Sequence, residues 1–148
     1  MVMQIALGSA LIVASFVLAA LSWLALELTL ARLQGWVGRP PWGPRLMAVL
    51  GLGLGITLAM ITATVWMWAL TFWAVEGFLM LETAVYFSLV AVTTLGFGDI
   101  LLPAQWRLLR GMAAANGMLL FGMMTAMLVE TLRVTRLHQR HLRPPVAG

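Results

Sequence analysis

The chain has 148 residues, 62% of them hydrophobic and only 9% charged, with a mean hydropathy of +0.98. Too little polar surface is available for a soluble domain of this size, so lipid must be the solvent for most of it. The net charge of +4 comes entirely from arginines at the ends of apolar runs, a distribution that membrane topology explains and that excludes a nucleic-acid partner. The absence of cysteine removes disulfides and thiolate metal sites.

A membrane crossing takes about 20 mostly apolar residues. The first run, Met3 to Leu30, is long enough, and no arginine or lysine precedes it. It is therefore expected to be a retained helix (residues 1–31) and not a cleavable leader. Next comes "ARLQGWVGRPPWGPR", expected to be a loop over 32–45, with three arginines and no acid. Leu46 to Trp73 forms the second span, expected as a helix over 46–74. Its Trp66, Trp68 and Trp73 suit an interfacial belt at the far end. The "GLGLG" run at Gly51 to Gly55 offers a small-residue surface on which the first helix is expected to dock.

Phe78 to Thr93 is apolar but short for a crossing, and a helix over 80–93 is expected there. The third span, Leu108 to Val129, predicts a helix over 106–130, followed by a basic tail over 131–148. Positive charge marks the 32–45 loop and the tail as cytoplasmic, whereas the stretch between Trp73 and Arg110 carries three acids against two arginines. Three spans then put the N-terminus outside and the C-terminus in the cytoplasm. The short fourth segment must enter and leave on the outer side. Irregular backbone at membrane depth is tolerated only where protein buries it or water reaches it, so "SLVAVTTLGFGDI" (88–100) reads as the end of a half-helix and a re-entrant loop.

In that loop Gly96 and Gly98 allow backbone angles closed to other residues. Successive carbonyls from Thr94 to Phe97 can therefore turn to one side as a ladder of oxygens, with the C-terminus of the half-helix adding partial negative charge for a cation. One chain supplies only one wall, so several copies around an axis are needed. No nucleophile–base pair, metal-ligand cluster or phosphate loop suggests catalysis, and no cofactor is expected.

"YFSLVAVTTLGFGD", residues 86–99, resembles the pore helix and selectivity filter of potassium channels, whose common form is Thr-Thr-Val-Gly-Tyr-Gly-Asp. The spacing from Arg107 to Gly117 and the run "FGMMTAML" from Phe121 resemble the inner helix of bacterial two-helix, one-pore-loop channels. The likeness covers roughly Leu46 to Val129, and the first helix is extra to it.

The resemblance implies an all-α integral membrane fold: three transmembrane helices plus a re-entrant pore helix and filter loop, assembled as a homotetramer. Its implied function is a potassium channel, with K+ as permeant ion held by backbone oxygens at Thr94, Leu95, Gly96 and Phe97, and with Gly98 completing the filter. Asp99 would form the outer mouth. Phe87, Val90 and Thr93 would brace the filter, Met118, Phe121 and Thr125 would line the cavity, and Gly117 would be a candidate gating hinge. Phe97 stands in place of the tyrosine, while Phe87 and Val90 stand where some bacterial channels carry tryptophan and glutamate. No polar network is therefore expected to pull on Asp99.

Asn116, about 160° around the helix from Met118, is expected to face away from the cavity and bond a neighbouring helix. Glu130 is expected to pair with Arg133. Arg133, Arg136, Arg140 and Arg143 are expected to face outward, towards anionic headgroups. Two other readings fit the same residues: a weakly selective monovalent cation channel, and a non-conducting membrane adaptor with a pore-like fold.

Overall fold

A computed structural model describes residues 1–76, 78, 80–100 and 106–141. Four helices occupy almost all of them: α1 (Val2–Val37), α2 (Trp42–Glu76), α3 (Leu81–Val92) and α4 (Arg107–His141). Helices α1, α2 and α4 are long and apolar enough to cross a membrane, whereas α3, with 12 residues, is not. At 1.5 Å per residue α3 spans about 18 Å against a hydrocarbon core of about 30 Å.

The helices outrun the apolar segments that predict them. Residues 32–37 continue α1 and 42–45 begin α2, so the expected 32–45 loop shrinks to residues 38–41. Pro44 is no obstacle, because the first turn of a helix has no intrahelical use for its N–H. Likewise residues 131–141 of the expected tail continue α4. Charge ends an apolar run without ending a helix, and Thr131, Thr135 and Gln139 extend the buried stripe of α4 down this basic end. Arg143 lies outside the described residues.

Helix α3 is wedged between α2 and α4, and α1 packs on α2 and α4. Near the start of α4, an aromatic cluster joins Trp68 and Phe72 of α2 to Phe87 of α3 and Leu109 of α4. Phe72 and Phe87 meet edge to face at 5.1 Å, the geometry that ring quadrupoles favour. A second cluster gathers Ala19, Met60, Leu120 and Met124 where α1, α2 and α4 meet.

Helix α1 runs parallel to α4: Gly8 meets Met112 and Leu109, Ser15 bonds Asn116, and Gln139 reaches the Val37 carbonyl. The N-terminus therefore lies at the same end of the bundle as the start of α4. Docking does not use the "GLGLG" run, because Gly51 and Gly55 are exposed with no atom of another element near them. The small residues that admit the neighbour are on α1 itself, where Gly8, Ser15 and Ala19 are buried. On α2 it is Gly53 that touches a neighbour, Leu128 of α4.

Among the described glycines, Gly117 is the most crowded. A Cβ there would overlap the carbonyl group of Val92, the last residue of α3. Backbone has nowhere to yield, so Gly117→Ala is expected to destabilise the protein by about 1–3 kcal/mol or more, the usual cost of overpacking. Gly51→Ala, at an open helical position, is expected to leave stability unchanged or raise it by up to about 1 kcal/mol. Thermal melts of the two variants in detergent check the contrast.

Candidate functional site

Helix α3 ends inside the protein. The last four carbonyls of any helix lack intrahelical partners and must be satisfied locally. Here the chain turns back to satisfy them. Thr94 N–H donates to the Ala91 carbonyl at 3.0 Å and Leu95 N–H to the Val90 carbonyl at 3.1 Å, with Gly96 N–H also directed at Val90. This is the paired bonding of a Schellman cap, whose reversing residue is normally glycine. In this chain Thr94 takes that place with φ of 59°. A non-glycine residue there is held at a cost of about 1–3 kcal/mol and persists only where its surroundings determine it.

Beyond the cap, positive φ recurs at Gly96 (60°) and Gly98 (77°), whereas Leu95 and Phe97 between them do not have it. Alternating handedness turns successive N–H groups to one edge of a strand and the carbonyls to the other. The amides of Leu95 and Gly96 point back at Val90. The side chains of Leu95 and Phe97 are 59% and 66% exposed, unpartnered within one chain.

The three residues expected to brace this loop, Phe87, Val90 and Thr93, lie on α3 or at its C-cap. Val90 anchors two loop amides by its carbonyl. The Thr93 hydroxyl donates to the Leu89 carbonyl at 2.7 Å. Phe87 holds α3 against α2 through Phe72. A cavity of about 300 Å³ lies behind the loop, lined in part by Phe87, Val90, Gly96, Asp99 and Arg110.

One brace differs from the sequence expectation. Asp99 does have a polar partner on α3, because the Tyr86 hydroxyl donates to its carboxylate at 2.6 Å. With Val90 and Phe87 apolar, the pull comes from the preceding residue. The hydrogen bond from Tyr86 favours the charged carboxylate and holds Asp99 below its ordinary range.

On α4, Met118, Phe121 and Thr125 share one exposed face, and the Thr125 hydroxyl bonds the Phe121 carbonyl at 2.8 Å. Asn116 is fully buried on the opposite face and donates to Ser15 of α1 at 2.9 Å, as its helical position predicts. Gly117 places α4 against the root of the loop. Glu130 pairs with Arg133 at 3.5 Å on the surface, where such a pair adds little. Arg133, Arg136 and Arg140 are exposed.

A sequence model described as an ion channel matches residues 54–134, more than half of the chain. No curated protein and no solved structure matches the chain significantly.

Removing the Tyr86 hydroxyl in Tyr86→Phe takes a donor from the charged form of Asp99, so its pKa should rise towards the usual carboxylate range. The Asp99 carboxyl signal in an NMR titration should then move at higher pH than in the wild type. Identical midpoints would refute the bond.

Proposed function

The chain belongs to the ion-channel family, and from that premise we propose that it is a homotetrameric, potassium-selective channel. Each subunit contributes three transmembrane helices, with α3 as pore helix and residues 94–99 as filter. The observation that carries this reading is the alternation of positive φ at Thr94, Gly96 and Gly98 directly after a half-length helix. Four copies of the resulting carbonyl edge around an axis would replace the hydration shell of K+ with oxygens from Thr94, Leu95, Gly96 and Phe97. Gly98 lets the chain turn outward, and four Asp99 carboxylates raise the local cation concentration at the mouth. Met118, Phe121 and Thr125 face the cavity below the filter.

In this arrangement the N-terminus and the filter mouth are outside, in a bacterial inner membrane. The basic end of α4 lies in the cytoplasm, its exposed Arg133, Arg136 and Arg140 near anionic headgroups. The common end shared by the N-terminus and the start of α4 supports this topology. The exposed side chains of Leu95 and Phe97 support assembly, because they are left for neighbouring subunits to cover. Phe97 also favours a second reading, a weakly selective cation channel. Its ring has no hydroxyl with which to tether the filter from behind.

Purified protein in liposomes should release K+ at a rate at least about tenfold above that of Gly96→Ala, in which φ of 60° becomes strained for an L-residue. Equal release by the two proteins and by empty vesicles would defeat the channel reading. Bi-ionic reversal potentials should favour K+ over Na+, and equal permeability would establish the weakly selective pore instead. Native mass spectrometry should give four chains per particle; a terminal dimer would contradict one filter strand per subunit.

A further inference from the structure

The family match begins at residue 54, after α1 has ended, yet α1 makes a fully buried hydrogen bond, side chain to side chain, with α4. Asn116 Nδ2 donates to Ser15 Oγ at 2.9 Å, and both residues are completely inaccessible. The serine hydroxyl is used twice, because it also donates to the Leu11 carbonyl at 2.9 Å. Gly8 and Ala19 flank it on the buried face of α1, so the two helices approach closely around the bond. Asn116 Oδ1 has no partner. An apolar pair would fill this place without leaving a polar atom unsatisfied, so the bond is better understood as fixing a register than as adding stability.

The register it fixes is that of a particular turn of α4. Asn116 is followed by Gly117, whose backbone rests on the Val92 carbonyl. Two residues before Val92, the Val90 carbonyl anchors the amides of Leu95 and Gly96. A short line of contacts therefore runs from Ser15 through Asn116 and Gly117 to the root of the 94–99 loop. Lower down, Gln139 Nε2 reaches the Val37 and Trp42 carbonyls at 3.5 and 3.4 Å, a looser second tie at the other end of α4. Among these contacts only the Ser15–Asn116 bond lies level with the filter root.

We propose that Ser15 and Asn116 are positioning residues for conduction: α1 holds the Asn116–Gly117 turn of α4 against the C-terminus of α3 and so keeps the filter root supported. The proposal rests on the channel reading above. The residues touch no permeating ion; they act through Gly117 and Val92. Their loss should therefore change how long the filter stays conductive and not how fast ions cross it while it is.

Single-channel recording in planar bilayers tests this with wild type, Gly96→Ala, Ser15→Ala, Asn116→Leu and the double variant Ser15→Ala/Asn116→Leu. Open probability is expected to fall at least about fivefold in each single variant and by the same factor in the double variant, with unitary conductance unchanged. The double variant, which leaves no buried polar atom behind, should regain a melting temperature close to that of the wild type. A double variant with wild-type open probability would overturn the proposal, as would open probabilities that merely follow melting temperature across the series. If wild type itself carried no more current than Gly96→Ala, the channel reading would fail and this inference with it.

Discussion

A short helix that ends inside the protein leaves carbonyls without intrahelical partners, and the structure depends on how α3 resolves that constraint. Its twelve residues end at Val92, ten residues into α4 at Gly117, about 15 Å along that helix. Three of the last carbonyls are taken up by the returning chain. Leu89 accepts from Thr93, Val90 from Leu95 and Gly96, and Ala91 from Thr94. The cap that satisfies the helix is thus also the start of the loop. The left-handed turn at Thr94 is the first of three alternating positions, so the geometry of the oxygen-bearing strand is set by the end of the helix before it. The Val92 carbonyl remains, and it lies against Gly117 of α4, where a side chain would not fit.

The outer end of the loop needs a different solution, because Asp99 is exposed and charged. Tyr86 is midway along α3 and Val90 near its end, and both reach the loop: one by a hydroxyl to Asp99, the other by a carbonyl to Leu95 and Gly96. A stretch of only a few residues is thereby fastened at both ends to one rigid helix. Phe87, between the two anchors, secures that helix to α2 through Phe72. Apolar packing fixes the helix, and the helix fixes the loop.

Much of this was legible in the sequence, where composition breaks sharply. Two glycines, two threonines and an aspartate inside apolar surroundings marked residues 93–99, and the shortness of the preceding apolar segment marked α3 as a half-helix. The orientation of Asn116 followed from helical geometry alone. The role of Tyr86 is not legible in the sequence, because its partner is thirteen residues away across a reversal of the chain. The available signal is that it is the chain's sole tyrosine, placed within the short helix that precedes the loop. Docking of α1 was assigned to the conspicuous "GLGLG" of α2, although Gly8, Ser15 and Ser22 recur every seventh residue on α1. A seven-residue interval returns to nearly the same side of a helix. Helix ends were misplaced for a simpler reason: hydropathy reports where lipid is, and α1, α2 and α4 continue beyond it.

The division of α4 into faces has a consequence for the proposed pore. Its buried stripe of Leu109, Ala113, Asn116, Leu120, Met124 and Met127 is committed to α1, α2 and α3. The face left over carries Met118 and Phe121, and its one hydroxyl, on Thr125, is already bonded to the Phe121 carbonyl. Such a surface offers a cation little direct coordination. In the proposed tetramer the favourable potential at the membrane centre must then come from elsewhere, and the C-termini of four α3 helices are placed to supply it. Each carries roughly half a negative charge, concentrated in its final turn. In that tetramer the contact between Gly117 and Val92 would set the depth of that turn, so the same close approach that packs α4 on α3 would also set where a dehydrating ion meets negative potential.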